Sequence, residues 1–188
     1  ISSLFGYDEA AKNFREYFAD ETVKSKNKYT GTLEGMNVIF IHLESAHNYL
    51  IDMEINGTEV TPTINELADE GMYFSNFYPE IGVGTSSDTE FTVSTSLLPV
   101  SSGTVFVSYY DRYYPSIQNL LKDKGYYTFS MHGNKSSMWN RNKMHPNLGY
   151  QEMYFQETFE YNEEEDRLGL GFNHEAFFYQ LQSKLEKI

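Results

Sequence analysis

The run Asn37-Val38-Ile39-Phe40-Ile41-His42-Leu43 is apolar at nearly every position and halts at Glu44-Ser45. A strand with one wet face alternates apolar and polar residues. A run without alternation suits burial on both faces, the condition of a strand inside a parallel sheet. Residues 72–78 and 126–131 have the same character. Around them the pattern is helical. Thr61-Pro62 opens one helix that Gly71 closes, and others are predicted over 88–97, 115–124 (stopped by Gly125), 137–144 and 174–187. Strands alternating with helices in this rhythm predict an α/β fold, a mostly parallel central sheet flanked by helices.

Ahead of this region, residues 8–18 carry Ala11, Phe14, Tyr17 and Phe18 at helical spacing, and residues 21–36 form a polar, Lys-rich connector with two glycines. The chain therefore divides into an N-terminal helix and connector, 1–36, and a main region, 37–188. Asn56-Gly57 marks a tight turn, and residues 163–166 an acidic loop. His42 falls inside the first strand as a core histidine, while His47, His145 and His174 read as ordinary, partly exposed residues.

The net charge of −13 argues against nucleic acid and against an anionic membrane surface as partners. A phosphorylated substrate would have to be drawn in by a local site, such as a metal with an Arg. The absence of cysteine excludes disulfides, zinc–thiolate sites and thiol nucleophiles, and leaves the compartment open. No apolar run approaches the roughly twenty residues that span a bilayer. The start does not read as a signal peptide and lacks Met, which suggests a cut from something longer.

In parallel sheets ligands sit beyond the carboxyl ends of the strands, and three polar clusters occupy those ends. Glu44 directly after the first strand is placed to ligate a divalent cation, or equally to serve as a surface or capping carboxylate. The loop Gly82-Val83-Gly84-Thr85-Ser86-Ser87-Asp88 combines glycines, which let the backbone approach an anion, with hydroxyls ahead of a helix N-terminus. Alone it also suits an ordinary Gly-Ser loop. The third cluster is His132-Gly133-Asn134 with Trp139-Asn140-Arg141, where Arg offers a planar fork for phosphate oxygens. Its plain alternative is Trp139 in the core and Arg141 on a helix surface.

These segments, with Glu59-Val60-Thr61-Pro62, Phe74-Ser75-Asn76-Phe77-Tyr78 and Gly84-Thr85-Ser86-Ser87-Asp88-Thr89-Glu90-Phe91, follow one another in the order and approximate spacing of the lipoteichoic acid synthases. The chain resembles that family, whose fold is similar to sulfatases and alkaline phosphatases, over about residues 35–160. The resemblance implies transfer of glycerol phosphate from phosphatidylglycerol to a polymer or glycolipid acceptor through a covalent phospho-enzyme. It implies a divalent metal, manganese in type, and a membrane-anchored parent whose catalytic domain lies outside a Gram-positive-type cell.

Carried over, Glu44 matches the family's metal-binding Glu. Ser86 falls where the family has its nucleophilic, metal-bound Thr, and a slip of one residue would give Thr85. His132, Trp139 and Arg141 match residues around the glycerol phosphate, and Asn134 stands where an Asp can occur. Three departures accompany these matches. The family's Lys before the nucleophile is missing, the chain has no Asp-His dipeptide for the second metal-binding element, and complete domains run to roughly twice this length. The resemblance thus implies an incomplete, N-terminal half of the domain, inactive alone and weak in metal binding.

Two rival readings stand beside this one. One is another enzyme of the superfamily, a phosphodiesterase, a phosphoethanolamine transferase or a sulfatase, although no Cys/Ser-x-Pro-x-Arg motif is present. The other is a non-catalytic domain that binds a glycerophosphate polymer.

Overall fold

The computed structural model of the chain describes residues 7–19, 26–169 and 171–186. The expected start of the chain, residues 21–25 of the connector and the last residue of the expected terminal helix, Lys187, lie outside them. Two compact units result, Ile1–Leu43 and Glu44–Ile188.

In the first unit, α1 spans Tyr7–Ala19 as its spacing predicts. The connector folds into successive tight turns, in which Thr30, Thr32, Glu34 and Met36 each donate a backbone N–H to the carbonyl three residues back. Residues 37–43 form no ladder. Ile39 and Phe40 are 75% and 66% exposed, and no backbone partner is found for this run among the described residues. A strand exists only through its neighbour, so apolar content alone does not make one.

In the second unit, Asn56-Gly57 closes a two-residue hairpin between β1, Glu54–Ile55, and β2, Thr58–Glu59. Both turn residues have positive φ, 53° and 77°, as a type I′ turn requires. Helix α2, Pro62–Glu70, begins on its proline. The expected strand over 72–78 is absent; Phe74 and Phe77 are 69% and 75% exposed, and the chain turns at 75–76. Again no neighbouring strand pairs with it among the described residues.

The interior is built by α3 (Ser86–Thr95), α4 (Val105–Ser108), α5 (Ile117–Lys122) and α6 (Arg141–Leu148). Phe91, Val105, Phe106, Met144 and Leu148 form its core. Ser116 caps α5, its Oγ accepting from the Asn119 N–H and donating to the Leu148 carbonyl, so that the cap also ties α5 to the end of α6. The parallel element is β3, Phe129–Met131, beside β4, Glu152–Tyr154, with Ser130 opposite Met153. β3 lies within the expected 126–131 segment, whereas β4 was not apparent from the sequence. A second cluster, Phe159, Phe172 and Phe177, packs beneath the hairpin of β5 (Arg167–Leu168) and β6 (Gly171–Phe172) and the last helix, α7 (His174–Leu185).

Candidate functional site

The loop before α3 is held from within. Asp88, in the first turn of α3, is fully buried, and its Oδ2 accepts the backbone N–H groups of Gly82 at 2.9 Å and Gly84 at 3.0 Å. Side chains on a helix lean toward its N-terminus, so an acid at this position reaches back over the entering chain. Ser87 is also fully buried, donating to the Gly84 carbonyl at 2.8 Å and sharing a hydrogen bond with Thr104 at 3.1 Å. Between these fixed residues Thr85 takes φ 43°, ψ −110°, a left-handed conformation costly to a β-branched side chain.

Three hydroxyls in a row therefore differ. Ser87 is sealed and committed. Thr85 is exposed and strained. Ser86 is 8% exposed and its hydroxyl enters no hydrogen bond among the described residues, so it is the uncommitted one in the first turn of α3. There it sits in the positive field of the helix N-terminus.

One turn further along, Glu90 lies on the same face of α3 as Ser86. Its carboxylate accepts from Arg141 Nε at 3.0 and 3.1 Å and from Arg141 Nη2 at 2.5 Å, and it lies 3.1 Å from His145 Nε2. His145 Nδ1 lies in turn 2.9 Å from Ser130 Oγ on β3. Burial by itself would raise the Glu90 pKa, but the hydrogen bonds and charges of His145 and Arg141 bring it down to about 2. The carboxylate is thus held ionised inside the protein.

Arg141 is 1% exposed and is not the surface residue of the plain alternative. It starts α6 after Trp139 and Asn140, two consecutive left-handed residues with φ 53° and 57°. Their reversal turns the chain inward, where Trp139 packs on the first core cluster and Asn140 Nδ2 donates to the Phe106 carbonyl at 2.8 Å. Arg141 Nη1 donates to the Met138 carbonyl at 3.3 Å, so Glu90 and Met138 together engage all three of its nitrogens.

His132 follows β3 directly, its N–H bonded to the Tyr154 carbonyl. Its Nδ1 accepts the backbone N–H of Asn134 at 3.0 Å, which leaves the hydrogen of a neutral ring on Nε2. Burial lowers its pKa to about 4, and the Arg141 charge adds to that, opposed by Glu90 and Glu44. The charges of Arg141, Glu90 and Glu44 are all felt at this imidazole, and Ser86 stands one helical turn before Glu90 on α3. Glu44 itself is exposed. Asn134 is braced by Gln156, whose N–H donates to its carbonyl, and by Gly171, where a Cβ would stand 1.8 Å from Asn134 Oδ1.

Sequence reasoning missed Asp88, Glu90 and His145 as site-building residues. His145, expected to be partly exposed, is buried at 5%, because Glu90 and Ser130 satisfy both ring nitrogens. The signal available was Glu90, a carboxylate four residues after Ser86 and next to the core residue Phe91. His42, expected in the core, is exposed, since the run that carries it pairs with no strand among the described residues.

Among the described residues no three His, Asp or Glu side chains cluster as a cation site would need. Glu44 and Ser86 are oxygen donors of the kind manganese or magnesium takes, but two donors fall short of the roughly six such an ion requires.

The Sulfatase family model matches residues 36–184. Lipoteichoic acid synthase 2 of Bacillus subtilis is 38% identical over 164 residues, which are 86% of this chain and 25% of that protein. The crystal structure of the lipoteichoic acid synthase LtaP from Listeria monocytogenes superposes with a TM-score of 0.82 at 31% identity, over 94% of this chain and 42% of that one. A Vibrio parahaemolyticus protein in the alkaline phosphatase superfamily superposes at 0.55 over 67% of this chain and 30% of that one. At 21% identity it shows the fold alone. The chain spans about a quarter of the length of the curated relatives it matches.

Proposed function

The chain belongs to the sulfatase family, and from that membership we propose that it serves as a phosphotransferase moving glycerol phosphate from a phosphatidylglycerol-type lipid to a polymer or glycolipid hydroxyl. The observation that carries this reading is the loop before α3. It presents one uncommitted hydroxyl, Ser86, at a helix N-terminus beside a strained Thr85, in a chain 38% identical to a lipoteichoic acid synthase.

In the first step the Ser86 oxygen bonds to phosphorus and the bond from phosphorus to the diacylglycerol oxygen breaks. The serine proton ends on that departing oxygen. In the second, an acceptor hydroxyl attacks the glycerophosphoserine, the serine–phosphorus bond breaks, and the acceptor's proton returns to serine. His132, neutral with its hydrogen on Nε2, would donate that N–H to the substrate. The family resemblance assigns Trp139 and Asn134 to the glycerol phosphate as well, with Trp139 packed on the first core cluster. Arg141, with three nitrogens engaged, contributes mainly charge.

Lipoteichoic acid-type synthesis would place this site on the outer face of a Gram-positive-type membrane. No helix among the described residues is long and apolar enough to cross one. A divalent cation belongs to the same reading, with Glu44 and Ser86 as part of its donor set. Because the described residues do not complete that set, no step is assigned to the cation.

The test is turnover of a headgroup-labelled phosphatidylglycerol by the full-length protein with manganese, followed by mass spectrometry of the trapped enzyme. The expected result is a glycerophosphate adduct on Ser86 and loss of about 10³-fold or more in turnover in Ser86→Ala. An adduct on Thr85, or an active Ser86→Ala protein, would overturn the assignment.

A further inference from the structure

We infer that Asp88 is the positioning residue of the proposed nucleophile loop, acting through the peptide of Gly84 to hold Thr85 strained and the Ser86 hydroxyl in place. This rests on the reading of that loop as the reaction site.

Gly84 is gripped on both sides. Its N–H goes to Asp88 Oδ2, and its carbonyl accepts from the Ser87 N–H at 2.9 Å and Ser87 Oγ at 2.8 Å. A second N–H, from Gly82, meets the same carboxylate oxygen. The chain has only Thr85 in which to turn from this clamped peptide into α3. Left-handed conformations of this kind persist where the surroundings over-determine them, and the Asp88 carboxylate supplies that determination.

The residue type at 84 follows from the same packing. Gly84 has no positive φ to explain it. A Cβ there would lie 2.3 Å from Asp88 Oδ1 and 2.8 Å from Ser87 Oγ, so the carboxylate occupies the space a side chain would need. Asp88 Oδ1 is buried and makes no hydrogen bond. An unpaired oxygen of that kind costs about 1–3 kcal/mol, so stability alone gives no reason for a carboxylate here. Its use is the geometry that Oδ2 enforces.

The experiment compares the full-length protein with Asp88→Ala, Asp88→Asn and Gly84→Ala. Asn keeps one oxygen that can accept both N–H groups; Ala keeps none. Hydrogen exchange over residues 82–87 reads the clamp independently of any reaction. It is expected to accelerate at least tenfold in Asp88→Ala and Gly84→Ala and less than threefold in Asp88→Asn. Turnover should fall about 10²-fold in kcat for the first two with KM within threefold, and Asn should restore most of it. Unchanged exchange in Asp88→Ala, loss in Asn equal to that in Ala, or a rise in KM with kcat kept would overturn the proposal. An inactive parent protein with the expected exchange pattern would sink the reaction assignment and leave the clamp standing.

Discussion

Glu90 and Arg141, 51 positions apart, meet through Nε and Nη2 of a guanidinium whose side chain is 2% exposed and a carboxylate whose side chain is 18% exposed. The pair fastens α3, which carries Ser86, to α6, and through His145 and Ser130 to β3. Removing one member of a buried pair leaves the other charge unpaired, which costs about 3–5 kcal/mol. Glu90→Gln is therefore expected to lower stability by about that much in urea denaturation at neutral pH. The double variant Glu90→Gln, Arg141→Met, which removes the stranded charge, should recover part of the loss. A double variant less stable than the sum of the singles would show that the pair is not the source.

Acid should act on two groups in separate windows. His132 has a pKa near 4 in the fold against 6.5 ordinarily, so the unfolded chain binds the extra proton between those values. Its contribution to stability is complete above about pH 6.5 and declines as pH falls toward 4. Glu90, held at about 2 against 4.5, contributes fully above 4.5 and loses its contribution as pH falls through 2. Melting temperatures of the wild type and His132→Gln, measured from pH 7 to 4, should converge as pH falls. A constant gap would contradict a neutral, buried His132.

Two glycines with positive φ separate strain from crowding. Gly57, φ 77°, has open space where a Cβ would go, so Gly57→Ala costs only the conformational term, about 1 kcal/mol. Gly149, φ 98°, has the Asn119 backbone nitrogen 2.8 Å from that position and Asn119 Oδ1 at 2.5 Å. Backbone cannot step aside, so Gly149→Ala should cost clearly more, about 2–4 kcal/mol. Equal losses in denaturant midpoint would mean that α5 moves freely away from the end of α6.

Most helices were legible because their signals are local, although α4 was not expected and α6 runs over Arg141–Leu148 in place of 137–144, its start delayed by the left-handed Trp139 and Asn140. Pro62 begins α2 on its own residue, and α3 begins two residues before its expected start. The α/β class, read from the strand and helix rhythm, is borne out by the likeness to LtaP. The strands over 37–43 and 72–78 were not, because pairing depends on a neighbour that composition does not describe. At the site, the loop from Gly82 to Ser87 announces itself by its glycines and hydroxyls. The partnership of Glu90 with Arg141 does not, since a charge pair of that separation is created by how α3 and α6 pack. Arg141 reads as a fork for phosphate oxygens, with an exposed helix position as the plain alternative, and neither reading foresees that Trp139 and Asn140 turn it inward onto Glu90.

Thr85 offers a test of whether strain is functional. Its φ of 43° with ψ of −110° costs a β-branched residue about 1–3 kcal/mol, whereas glycine adopts it freely. Against that gain, glycine's freedom in the unfolded chain costs up to about 1 kcal/mol. Thr85→Gly should therefore leave stability unchanged or raise it by about 1–2 kcal/mol, a gain of a few degrees in melting temperature. If the strained step fixes the Ser86 hydroxyl, the same change loosens it, and kcat should fall about tenfold while KM stays within threefold. Stability and turnover would then move in opposite directions at one residue that makes no core contact. A variant that loses stability, or gains it with turnover intact, would show that the conformation of Thr85 is a by-product of packing around Asp88 and not part of how the hydroxyl is presented.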